Sequence, residues 1–165
     1  MPRRERSSNS KATPSAPGGD AEAGATGREH GHRSLAHTAD VILEAWGPDL
    51  ASCCREAAAA LVGTYVDKVN GEYVGERFVH VPPAPPEAQV FRVLEELIFT
   101  LDTSDDVPVA VDVRGAADGG LVVELKLVRR RSVDATGAVP KALSRSGLLV
   151  ETGLGRVFCR FLVDL

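Results

Sequence analysis

No stretch of this chain approaches the length of a bilayer span. Its first 32 residues also lack the continuous apolar run that marks a secretory signal. Arg3, Arg4 and Arg6 hint at an organelle transit peptide, but Glu5, Asp20, Glu22 and Glu29 argue against one. Cysteine is scarce. The three in the chain, two of them adjacent (Cys53 and Cys54), supply neither a disulfide framework nor a CxxC spacing. A reducing, cytoplasmic compartment is therefore expected. Basic charge is short as well: the formal net charge is −4. Proteins that grip nucleic acid through its phosphates present a basic surface, so tight, direct RNA or DNA binding is not expected. The single dense basic run, Arg129-Arg130-Arg131, reads as a solvated strand end. No Gly-rich phosphate loop, G-x-S-x-G elbow or internal repeat is present.

What the chain does contain is apolar periodicity, confined to its later part. Residues 1–32 are rich in Ser, Gly, Ala, Pro and charge, and cannot bury enough surface to offset the entropy of ordering them. They are expected to form a disordered tail ahead of one domain, residues 33–165. That domain opens with a short extended stretch at 33–37. Val41, Leu43 and Ala45 then alternate with Ile42, Glu44 and Trp46, which predicts a strand with two unlike faces. Asp49 is placed to cap a helix whose apolar positions Leu50, Cys53, Cys54, Ala57 and Leu61 follow helical spacing. Trp46 is expected to pack under that helix, and the cysteines to serve as small apolar packing residues. A strand at 77–81 and a stiff Pro-rich connector lead to a second helix. It starts near Pro86 and buries Val90, Val93, Leu94, Leu97, Ile98 and Leu101. The remainder reads as strands at 107–114, 121–128, 148–151 and 156–164, with a polar loop at 132–137. The expected class is α+β: a mostly antiparallel β-sheet of about seven strands with two α-helices packed on it.

Carboxylates stand at the two extremes of the folded part, Asp40 at its opening and Asp164 beside the α-carboxylate of Leu165 at its close. If the strands bearing them are neighbours, three carboxylate groups converge, a set suited to a hard divalent cation such as Ca²⁺, Mg²⁺ or Mn²⁺. From the residues alone, Asp40 reads first as a strand-entry residue capping a loop, and Asp164 as a solvent-facing residue at a chain end. His37 more often orients a loop than binds a metal. His30 and His32 look incidental in the tail, and His80 structural.

Four features in this order resemble the archease family over residues 37–165. They are His37-Thr38-Ala39-Asp40-Val41 running into a strand that ends Ala45-Trp46-Gly47; Glu56-Ala57-Ala58 with Ala60-Leu61-Val62-Gly63; Leu94-Glu95-Glu96-Leu97-Ile98-Phe99; and the ending Phe161-Leu162-Val163-Asp164-Leu165. The resemblance implies one sheet with two helices and a divalent-metal site made of Asp40, Asp164 and the carboxylate of Leu165. It implies that His37, Thr38 and Lys141 face a partner. That partner would be an RtcB-type RNA ligase, which joins a 3′-phosphate to a 5′-hydroxyl end in tRNA splicing or RNA repair. The protein would promote guanylylation of the ligase by GTP without being an enzyme itself. One departure stands out: where the family carries Lys-Ala-Val-Thr-Tyr-His, this chain has Lys141-Ala142-Leu143-Ser144-Arg145-Ser146, and the Tyr and His are gone. A chaperone-like module with a structural metal and a stand-alone metal-dependent phosphoesterase are the competing readings.

Overall fold

The computed structural model describes residues 30–36, 40–135 and 139–165. The disordered tail expected over residues 1–32 lies outside them except for its last three residues. Among the described residues, two helices and ten strands follow in the order β1 (Gly31–Ala36), β2 (Asp40–Gly47), α1 (Leu50–Val62), β3 (Val66–Val69), β4 (Gly75–Val81), α2 (Pro86–Thr103), β5 (Asp106–Gly115), β6 (Leu121–Arg129), β7 (Val133–Ala135), β8 (Ala142–Leu143), β9 (Leu149–Gly153) and β10 (Arg156–Asp164). The class is α+β, and the strand pairs are antiparallel. The strands divide into three hydrogen-bonded groups where the resemblance implied one sheet. The largest runs β1-β2-β10-β8, with β9 also on β10; a second pairs β3 with β7; the third runs β4-β6-β5. No helix among the described residues is long and apolar enough to cross a membrane.

Helix α1 explains how these layers fit. Asp49 caps it by accepting from the Ser52 N–H at 2.7 Å, and the hydrogen bonds from Ser52 hold the Asp49 carboxyl below its usual range. Its buried residues include Ser52, Cys53, Cys54, Ala57, Ala58 and Ala60. These are small side chains spread around most of the helix, which suits a helix enclosed on more than one side. It touches β2, β5 and α2, so α1 fills the space between the five-stranded and three-stranded sheets. The cysteines are core packing: Cys53 Sγ lies 3.6 Å from Cys159 Sγ on β10, and burial pushes the Cys54 thiol up. Helix α2 begins with Pro86 at its first turn, and Glu87 complements the exposed amides there.

The five-stranded sheet has two contrasting faces. Val41, Leu43 and Ala45 of β2 and Val157, Cys159, Phe161 and Val163 of β10 are buried and join the core. On the opposite face the strand registers stack four cross-strand rows: Gly31–Trp46–Phe158–Glu151, Arg33–Glu44–Arg160–Leu149, Leu35–Ile42–Leu162 and Asp40–Asp164–Ala142. Trp46 therefore does not lie under α1. It stacks with Arg156, whose guanidinium carbon is 5.6 Å from the ring centroid. It also fills the place of a side chain at Gly31, where a Cβ would come within 2.7 Å of the indole.

The second row holds a carboxylate with no solvent exposure, that of Glu44. Arg160 donates to Oε1 from Nε at 2.7 Å, and Arg33 donates to Oε2. Burial alone would raise the Glu44 pKa, but the hydrogen bonds and charges of the two guanidiniums outweigh it and leave it lowered. One side chain thus ties β1, β2 and β10 together.

Three short strands were not anticipated. β3 lies between α1 and the strand expected at 77–81. β7, preceded by a 3-10 turn at Arg130–Ser132, occupies the expected polar loop, and the two pair with each other. β8 is two residues long. The arginine run is not simply solvated: Arg130 Nη2 donates to the carbonyls of Leu101 and Ser104 at 2.7 and 3.0 Å, closing the C-terminal end of α2.

Two predictions follow from this architecture. Glu44→Gln should cost about 1–3 kcal/mol at neutral pH in chemical denaturation. Because the folded-state pKa is lowered, the ionised Glu44 stabilises fully above the ordinary carboxyl range, and this is lost as pH falls through its depressed value. The variant should therefore lose less stability than the wild type on acidification. Leu154 sits at the tip of the β9–β10 turn with φ 48°, followed by Gly155 at φ 73°. Both central residues of a two-residue hairpin of this kind favour Gly or Asn. Leu154→Asn should raise stability by about 1 kcal/mol, read as a higher thermal midpoint.

Candidate functional site

Because β2 and β10 run antiparallel, the first residue of one meets the last residue of the other. The register continues without interruption from Val157 opposite Gly47 to Asp164 opposite Asp40. Val41 and Val163 point into the core, so Asp40 and Asp164 share the opposite face. Directly opposed residues place their Cβ atoms on the order of 5 Å apart, close enough for two carboxylates to engage one ion. Asp40 is half-buried, Asp164 exposed, and Leu165 half-buried against the core.

β8 lies on the other side of β10, with Ala142 opposite Asp164 and Leu143 opposite Val163. Lys141, one residue earlier, donates its N–H to the Asp164 carbonyl at 2.9 Å. Its Nζ donates to the main-chain oxygen of Leu165 at 3.0 Å. The structure thus brings Asp40, Asp164, Leu165 and Lys141 to one sheet end. His37 and Thr38 lie outside the described residues. Among the described residues, no group of three or more His, Cys, Asp or Glu side chains is gathered to hold a metal ion. The set at this end consists of two side-chain carboxylates and a main-chain oxygen. All its donors are oxygens, and a cationic side chain already engages one of them, so its chemistry suits a hard divalent cation.

The run after Lys141 has its own construction. Ser144 donates its N–H to the Leu162 carbonyl at 3.1 Å, and its Oγ accepts from the Gly147 N–H at 3.2 Å. Arg145 lies over the Phe91 ring on α2, 4.0 Å from its centroid. Arginine at this position therefore anchors the run to α2.

Three features of this region were missed from the sequence. The first is the Glu44 clamp. The second is a groove of about 670 Å³ between α2 and the segment 139–143, lined by Phe91, Glu95, Ile98, Phe99, Asp102 and Lys141 among others. The third corrects the reading of His30 and His32 as incidental. Their Nδ1 atoms lie 2.9 Å from the two carboxylate oxygens of Glu56, joining β1 to α1. The alternation His30-Gly31-His32 was the signal available, since it places both rings on one face of a strand.

Fold and site together define an α+β protein in which paired sheet ends present acidic residues beside a lysine. Residues 32–165 match the model of the archease protein family. The chain is 33% identical over 144 residues to a probable archease of Mycobacterium tuberculosis, covering 87% of this chain and 80% of that one. It is 28% identical over 121 residues to an archease of Archaeoglobus fulgidus, covering 73% and 88%. Its fold is similar to the solution structure of Methanobacterium thermoautotrophicum protein 1598, with a TM-score of 0.61, 22% identity and coverage of 82% and 99%. It is also similar to the crystal structure of a Thermotoga maritima archease described as a possible chaperone, with a TM-score of 0.58, 20% identity and coverage of 81% and 96%. The chain belongs to the archease family.

Glu56→Ala should cost about 1–2 kcal/mol by removing the acceptor shared by His30 and His32. Hydrogen exchange should show the loss first in the amides of β1, an edge strand, with β2 and β10 little affected.

Proposed function

We propose that this protein is a non-enzymatic activator of an RtcB-type RNA ligase, acting through a divalent cation held at the shared end of β2 and β10. The observation that carries this reading is the cross-strand pairing of Asp164 with Asp40 at the last step of the ladder. In this reading the ligands are the Asp40 and Asp164 side chains and the α-carboxylate of Leu165, with His37, Thr38 and Lys141 facing the ligase. Oxygen-only donors select a hard ion, Ca²⁺, Mg²⁺ or Mn²⁺. When bound, the cation supplies positive charge that can offset a nucleoside triphosphate during guanylylation of the ligase.

The chain's own residues hold and aim that ion. The continuous β2–β10 ladder fixes the separation of the two aspartates. The Glu44 clamp stiffens the same strands one sheet row beyond Ile42 and Leu162. Lys141, through its own backbone N–H, holds the Asp164 carbonyl. The net charge of −4 suits a protein that meets another protein's active site in place of the RNA. The biological setting is cytoplasmic tRNA splicing or RNA repair.

The test is a guanylylation assay with the cognate ligase, GTP and Mn²⁺. Adding this protein should speed formation of the guanylylated ligase. Asp40→Asn or Asp164→Asn should cut that stimulation by at least about tenfold. Extending the chain beyond Leu165 should do the same, because it removes the terminal carboxylate. Stimulation that survives all three changes would sink the proposal. Unfolding by a chelator with no effect on any ligase would instead favour a chaperone-like module with a structural metal.

A further inference from the structure

Lys141 stands where the constraints on this sheet end meet. Its backbone N–H donates to the Asp164 carbonyl, which ties it to β10 by one hydrogen bond. Its ammonium is spent on the Leu165 oxygen, 3.0 Å away. Among the described residues, the arginines of the same sheet face and of the adjoining groove are committed elsewhere. Arg33 and Arg160 hold Glu44, Arg145 covers Phe91, and Arg130 closes α2.

We propose that Lys141 is a resident counter-ion for this site. Its ammonium and a divalent cation compete for the Leu165 oxygen, so that taking up the one displaces the other. The inference rests on reading this end of the sheet as a cation site, and adds what sets the site's affinity. An ammonium and a divalent ion on the same carboxylate would stand roughly 4–5 Å apart, and like charges at that separation repel even in water. Three oxygen ligands with no cation would also repel one another, which the ammonium relieves.

The fold gives the displaced side chain somewhere to go. Lys141 lines the groove between α2 and segment 139–143, and so do the carboxylate-bearing residues Glu95 and Asp102. Glu95 is engaged by Arg92 at 3.2 Å, which leaves Asp102 as the better acceptor for an incoming ammonium. The backbone around Lys141 is lightly held, because β8 contributes only two residues to the sheet. Segments with few ladder contacts open at low cost. Cation loading is thus an exchange of charges: a divalent ion enters and the ammonium swings into the acidic groove.

The test is calorimetric titration of the full chain with CaCl₂, and separately with MnCl₂, at low ionic strength. Lys141→Gln and Lys141→Met should bind the cation about tenfold more tightly than the wild type. Lys141→Arg, which keeps the charge, should stay within about threefold of it. Cation-free Lys141→Gln should melt below the wild type, and saturating Ca²⁺ should close that gap. A purely structural lysine would instead weaken binding in both neutral variants. Unchanged or weaker binding by those variants, with binding by the wild type intact, overturns the counter-ion role and leaves the cation site standing. No binding by the wild type overturns both.

Discussion

The antiparallel ladder between β2 and β10 joins the opening of the described domain to its close, and most of the structure is arranged around keeping that ladder in register. A slip of one residue would turn every core side chain of a strand to the wrong face. Two features prevent it. On the core face, Val41, Leu43 and Ala45 interlock with Val157, Cys159, Phe161 and Val163 beneath α1. On the other face, Glu44 accepts from guanidiniums on both flanking strands, one of them 116 residues away in sequence. A buried carboxylate without those partners would be strongly unfavourable. The pairing of Asp40 with Asp164 is the last step of the same ladder and inherits its precision.

The helices serve this sheet in different ways. α1 is thin because most of its buried positions are Ser, Cys and Ala, and that thinness lets two sheets approach it. The longer polar residues of its middle turn go to fixed partners: Arg55 donates to Asp112 on β5 at 3.2 Å, and Glu56 engages His30 and His32. α2 carries the larger apolar residues, including Val90, Val93, Leu94 and Leu97. It forms one wall of the groove beside Lys141. The proposed cation site therefore has a rigid side, made of β2 and β10, and a lightly tethered side, made of β8. That asymmetry is what a site needs if it is to hold an ion firmly and still exchange charges there.

Elements with strong local periodicity were legible without coordinates. The alternation in β2, β5, β6 and β10 and the helical spacing in α1 and α2 are properties of neighbouring residues, and burial on one face imposes them directly. β3, β7 and β8 carried too few residues to show a period. They are strands only because a distant segment supplies their hydrogen bonds. Trp46 was misplaced for a related reason. Its size suggested a core position, but its parity in β2 sets it with Glu44, where Gly31 and Arg156 make room for it and cover it. The arginines at 129–131 looked alike in sequence, yet Arg129 pairs with Asp106 while Arg130 closes a helix.

By itself the sequence determined the α+β class, the two helices, the main strands and the acidic residues at both ends, because those depend on local pattern and on the order of a few residue types. It also carried the family resemblance, whose features are short runs of neighbouring residues. Only the tertiary structure decided that Asp40 and Asp164 are direct cross-strand partners, that Glu44 is clamped between two strands, and that Lys141 reaches the Leu165 oxygen. Each of those joins residues far apart along the chain. The physical reason is that strand pairing is a non-local choice, settled by burying both core faces at once and by giving every buried charge a partner.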